Sequence, residues 1–133
     1  MAQTTIDGPD ALRAAVGSHL GYSDWITIEQ DRIDLFAAAT GDHEATYLTV
    51  SLSNFFLPQI VEVTGFSMGV NYGADSIRVM APVAVGDRVR SAAELVGASD
   101  VARGMQTTML ITIELDGSAE PACVIESISR WLL

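Results

Sequence analysis

Apolar residues recur along the chain at two spacings, and the change falls near Gly65. Before it the spacing is helical. Residues 9–17 (PDALRAAVG) predict a short helix, with Pro9 suited to a first turn and Gly17 to a stop. Trp25-Ile26-Thr27 reads as a brief extended entry. Thr27 then has the character of an N-cap, with Gln30 three residues on completing a capping-box pattern. Ile33, Phe36, Ala37 and Thr40 follow at helical spacing, and Gly41 ends the helix. A longer helix is predicted from Ala45 or Thr46 to Ile60, carrying Leu48, Leu52, Phe55, Phe56, Gln59 and Ile60 in period. It is apolar around most of its circumference, which predicts burial on nearly all sides. Pro58 leaves its last turn open.

After Gly65 the pattern alternates. Residues 67–80 do so loosely, with Gly69, Asn71 and Gly73, and predict one or two strands. Residues 81–87 (APVAVGD) read as a turn. Three longer strands are predicted over 88–98, 105–115 and 122–132, rich in Val, Ile and Thr. The links 99–104 and 116–121 are hairpin-sized, so the strands form an antiparallel sheet. Helix, helix, then a run of strands is an α+β order. Its simplest packing is a curved sheet wrapped around the long apolar helix, in a single domain of 133 residues with an N-terminal helical segment over 1–24.

Composition narrows the function. The seven basic residues are all Arg, against 17 acidic ones, for a net charge of −10. Nucleic acid and anionic membranes need clustered positive charge, so neither is an expected partner. The lone Cys123 excludes an internal disulfide and a cysteine-cluster zinc site, and two histidines offer little to any metal. The N-terminus, MAQTTIDGPD, has no basic region followed by an apolar run, and no apolar stretch is long enough to span a membrane. With one unpaired cysteine, a cytoplasmic location is expected.

Four segments, in order, carry a family resemblance: Phe36-Ala37-Ala38-Ala39-Thr40-Gly41-Asp42-His43; Tyr47-Leu48-Thr49-Val50-Ser51-Leu52; Val70-Asn71-Tyr72-Gly73 followed by Ser76-Ile77-Arg78-Val79; and Ala81-Pro82-Val83-Ala84-Val85-Gly86-Asp87-Arg88-Val89-Arg90. From about Trp25 to the C-terminus the chain resembles the MaoC-like dehydratases, which include the (R)-specific enoyl-CoA hydratases. The resemblance implies a hot-dog fold, a homodimer with sites between protomers, and reversible addition of water to a trans-2-enoyl thioester. Coenzyme A would enter as part of the acyl-thioester substrate, with no separate cofactor. In the family an Asp and a His activate one water. Backbone N–H groups at the start of the central helix polarise the thioester carbonyl, where free donors and the helix dipole suit developing negative charge.

Asp42 matches the family's Asp. Five residues on, where the family has its His, stands Tyr47. The family's longer segment, which holds the catalytic His and ends in a His-Gly pair, has no counterpart. Gly41 leads almost at once into the helix through Asp42-His43-Glu44-Ala45-Thr46. The expected outcome is an impaired or altered enzyme with a wider, wetter slot; the alternative is a scaffold that binds acyl thioesters or other apolar ligands without processing them.

Each candidate residue has a plainer reading beside the functional one. Asp42 is a catalytic candidate or an acidic cap on the following turn. His43, beside a helix start that favours neutral imidazole, is an improvised base or a solvated loop residue. Tyr47 is a substitute acid or a core side chain with a satisfied hydroxyl. Asn71, Tyr72 and Gly73 line the acyl pocket by resemblance, or form a strand edge. Arg78, Arg88 and Arg90 flank the 81–87 turn and would hold coenzyme A phosphates, or else pair with Asp75 or Asp87. His19 reads as surface, in a Gly-flanked link, and Ser51 and Cys123 as packing residues.

Overall fold

A computed structural model describes residues 3–133. Met1 and Ala2, the start of the N-terminal stretch read above, lie outside the described residues. The elements run β1 (Thr4–Asp7), α1 (Gly8–Ala14), β2 (His19–Tyr22), β3 (Ile26–Thr27), α2 (Gln30–Thr40), α3 (Leu48–Ser51), α4 (Ser53–Ile60), β4 (Val61–Thr64), β5 (Met68–Val79), β6 (Arg88–Val101), β7 (Gly104–Leu115) and β8 (Cys123–Leu132).

The main sheet has the order β2-β6-β7-β8-β5, with β3 also paired to β6. All of its pairings are antiparallel. The three strands predicted after residue 87 are present, and the 67–80 stretch is one strand bent by two register shifts. The β6–β7 link is tighter than predicted, because β6 continues to Val101 and Arg103 takes a left-handed conformation in the turn.

On the inner face, Val89, Leu95, Met105, Met109, Ile111, Ile113 and Ile125 are buried. They pack with Leu48, Leu52, Phe56 and Ile60 of α3 and α4. Those four recur every fourth residue, so they form one stripe down the helix. The sheet therefore wraps the helical segment, as expected. That segment is not the continuous, fully buried rod predicted from Ala45. It begins at Leu48 and breaks at Leu52, and its burial is confined to the stripe and Thr49. Phe55 is 46% exposed and lies under the Arg32 guanidinium. Its side chain projects off the stripe, one residue before Phe56. Pro58 stays inside α4, at its last turn.

Other expectations are corrected by pairing. Thr27 is not an N-cap: it pairs with Arg88 in the sheet, so α2 starts at Gln30, whose side chain bonds Asp34 instead. The α2 end at Gly41 stands, with a left-handed φ of 76° and its N–H donated to the Ala37 carbonyl. The link around His19 is strand β2, paired with β6, although His19 itself is exposed. Strands β1 and β4, unforeseen in the sequence, form a parallel pair with Thr4 beside Val61 and Asp7 beside Thr64. Among the described residues, no helix is long and apolar enough to cross a membrane.

Candidate functional site

Seven residues, Gly41 to Tyr47, connect α2 to α3. The link is short and its own residues are mostly exposed, while Leu48 and Thr49 at the head of α3 are buried. The Asp42 carboxylate organises the link. One oxygen accepts the Glu44 N–H at 3.2 Å, and the other accepts the Thr46 N–H at 3.1 Å. Between these two amides, Ala45 is held at φ 54°, a left-handed conformation that costs a non-glycine residue about 1–2 kcal/mol. Asp42 is half-buried, and its own N–H donates to the Thr40 hydroxyl.

The turn borders a hollow of about 200 Å³, with Glu44–Thr46 and Thr49 on the helix side and Val79 and Pro82 opposite. Further along the helical segment lies a second hollow of about 280 Å³, between Val50, Ser53 and Asn54 and the strand residues Asn71, Gly73 and Ile77. Asn54 also borders a third, apolar one of about 180 Å³, walled by Leu57, Val61, Met109 and Trp131. The three follow one flank of α3–α4 along the β5–β8 edge. The first opens beside the Asp42 turn, and the second and third meet at Asn54.

The sequence candidates divide sharply around these hollows. Asn71 and Gly73 line the second. Tyr72 does not, because strand alternation turns it to the face opposite Asn71 and Gly73, where its ring lies 3.8 Å from the Arg130 guanidinium carbon. His43 is exposed and Tyr47 is 56% exposed, so Tyr47 is not a core residue. Arg78 is exposed on β5. Arg88 is three strands away on β6, paired with Asp116 at 3.2 Å and stacked on Trp25. Arg90 pairs with Glu114 at 3.1 Å and lies over both Tyr22 and Trp25. The partners of Arg88 and Arg90 are thus cross-strand carboxylates rather than Asp75 or Asp87, because strand pairing places β7 beside β6. Asp87 instead accepts the Ala84 N–H and closes the 81–87 turn. Burial pushes the Cys123 thiol up to about 11, which leaves it unreactive at neutral pH. Among the described residues no group of three or more His, Cys, Asp or Glu is placed to hold a metal.

Thr49 is the site residue that motif reading passed over. It lines the first hollow and is only 6% exposed. Its sequence signal was a polar residue within an otherwise apolar run, Leu48-Thr49-Val50.

No family model matches the sequence. A 3-hydroxyacyl-thioester dehydratase Z of Mycobacterium tuberculosis is 38% identical over 148 positions, which take in 96% of this chain and 98% of that protein. The chain belongs to the MaoC-like dehydratase family. The matched span is longer than the chain's 133 residues, so that dehydratase carries residues within the span that this chain lacks. Solved structures give the same fold. A monoamine oxidase regulatory protein from Archaeoglobus superposes with a TM-score of 0.67 at 15% identity, covering 88% of this chain and 89% of that one. A MaoC-like dehydratase from Rhodospirillum rubrum gives 0.61 at 13% identity, covering 89% and 92%. The fold is therefore that of the hot-dog dehydratases, with Asp42 at the head of the central helical segment.

Proposed function

We propose that the chain is an (R)-specific enoyl-thioester hydratase, or 3-hydroxyacyl-thioester dehydratase, whose turnover is reduced because one half of the acid–base pair is absent. The observation that carries this is the Asp42 carboxylate, fixed at the head of the central helix beside the first hollow. Asp42 supplies the acid–base group. His43 and Tyr47 sit on the same turn but are exposed, and neither converges with Asp42 on an enclosed water. Coenzyme A arrives with the substrate, and no separate cofactor takes part. The residues by which the M. tuberculosis dehydratase exceeds this chain would fall between Asp42 and the helix, where the whole link from α2 is only seven residues long.

Mixing the protein with crotonyl-CoA and following the loss of conjugated-thioester absorbance tests this. The expected rate is above buffer, roughly 10²–10⁴-fold below that of a complete pair, and abolished by Asp42→Asn. A second reading, binding without turnover, is favoured by one observation: both Asp42 oxygens are engaged by backbone amides. Calorimetry with butyryl-CoA, which cannot be hydrated, separates the two. Heat of binding with no turnover selects the second reading, and neither heat nor turnover overturns both.

The working unit in this reading is a homodimer in the cytoplasm. Strand β5 ends the sheet and leaves Met68, Val70, Tyr72, Ile77 and Val79 exposed, an apolar edge of the kind that proteins cover. A second copy pairing along it would wall the second hollow. A monomer mass by light scattering at micromolar concentration would remove the dimer. The buried, unpaired Cys123 suits a reducing compartment.

A further inference from the structure

The second hollow has the wrong lining for a plain hydrocarbon tail. Neutral hydrogen-bonding side chains stand on both of its sides: Ser51, Ser53 and Asn54 on the helical side, Asn71 and Ser127 on the strand side. Val50, Ile77 and Ile125 supply its apolar part. Ser53 and Ser127 are half-buried and the other three polar residues are exposed. None of the five side chains is hydrogen-bonded to another described residue, and none has a polar atom sealed from solvent, so all are free to bond an incoming group. Gly73 gives the hollow its room. Its φ is not left-handed and nothing lies within 4 Å of the place a Cβ would take, so the backbone does not demand glycine there.

At Asn54 the lining changes. The third hollow, which shares that residue, is otherwise walled by Leu57, Val61, Met109 and Trp131 and their apolar neighbours. The indole N–H of Trp131 is committed to the Thr107 hydroxyl at 2.9 Å, and the ring is seated against Gly69, where a Cβ would lie 2.6 Å from it. A polar hollow thus adjoins an apolar one with a fixed wall.

A methylene chain laid against serine and asparagine strips water from them and returns no hydrogen bond. A hydroxyl or carbonyl on that chain returns one, since serine hydroxyls and asparagine amides both donate and accept. No charged side chain lines the second hollow, and the chain carries a net charge of −10, so a carboxylate on the tail would find no cation. The lining fits a neutral oxygen group followed by a hydrocarbon end.

We infer that the preferred substrate has an oxygenated tail: a hydroxyl or carbonyl in mid-chain, bonded in the second hollow by Asn54 and Asn71, with an apolar end beyond it against Trp131. This rests on the acyl-thioester reading above and narrows the substrate class within it.

The test is calorimetry on the full chain. Dodecanoyl-CoA is compared with two series of the same length, one bearing a single hydroxyl and the other a single keto group, on each carbon in turn from the fifth to the tenth. At least one position should bind about tenfold more tightly than dodecanoyl-CoA. The two series show which oxygen group is preferred. Asn54→Leu and Asn71→Leu should each bring that preference close to unity. Asn54 is exposed on α4, so its variant carries the test should leucine at position 71 disturb β5. Oxygenated tails that bind no better than dodecanoyl-CoA, or a preference that survives both substitutions, overturn this inference alone. Failure of the native protein to bind butyryl-CoA or any longer thioester overturns the acyl-thioester reading with it.

Discussion

Strands β5 and β7 are both twelve residues long, and they lead opposite lives. β7 has a partner on each side, and every second residue from Met105 to Ile113 is buried beneath the helical segment. β5 has one partner, two register shifts and, apart from Ser76, only exposed residues. Their apolar content is not so different. What separates them is whether a second layer lies on the inner face. The α3–α4 stripe covers β7 and stops short of β5, and the second hollow lies in the gap. The same lack of packing that leaves Ile77 exposed gives the site its wall.

The sharpest way to break this contrast is to add one carbon to a glycine in each strand. A Cβ on Gly104 would lie 1.9 Å from the Trp131 carbonyl oxygen, which forces β7 and β8 apart. Gly104→Ala should cost about 4 kcal/mol or more in urea unfolding. Gly73→Ala in β5 meets nothing within 4 Å and should stay within about 0.5 kcal/mol. Next in size, Ile111→Ala should cost about 2–5 kcal/mol, because it empties a site closed on all sides. Ile77→Ala, 43% exposed, should cost under about 1 kcal/mol in the monomer and show its effect in dimer mass instead.

Cys123, on β8 between the two strands, supplies a pH test. It pairs with Ile113 on one side and Val79 on the other. Burial raises its folded pKa to about 11 from an ordinary 9.0, so the unfolded chain loses this proton first as pH rises. Its contribution is full below about pH 9 and is lost as pH climbs toward 11. Cys123→Ala should flatten that part of the stability–pH curve. The smallest expected effect is at Tyr72, where Tyr72→Ala removes the stack on Arg130 and should cost about 0.5–1 kcal/mol.

What the sequence showed follows the same division. β6, β7 and β8 were readable because one of their faces is buried, and burial writes alternation into the residues. The helical stripe was readable at Leu48, Leu52, Phe56 and Ile60. Its neighbours Phe55 and Leu57 suggested an all-round apolar rod, since composition does not say which apolar side chains stay uncovered. β1, β2 and β4 are four residues each, too short to show a period. At the site, Asp42 was legible through its motif, but its two amide bonds were not, because they depend on Ala45 adopting a left-handed conformation. The side to which Tyr72 points follows from alternation with Asn71 and Gly73, but residues 67–80 alternate too loosely in apolar character to show which face is covered. The burial of Thr49 beside the first hollow was not legible, because a single threonine in an apolar run does not show what it faces.

The parallel pairing of β1 with β4 gives the first residues of the chain an influence over its far end. Val61 and Val63 face the apolar hollow beside Trp131, and they are kept extended by Thr4–Asp7 and by the Thr64 hydroxyl bonded to Asp7. The leading strand is thus a buttress behind the apolar hollow, which in the proposed function would take the end of an acyl tail. A version of the protein beginning at Pro9 would keep the Asp42 turn and the big sheet, and, if the proposed function holds, it would lose its grip on the last carbons of a long ligand and discriminate poorly between short and long chains.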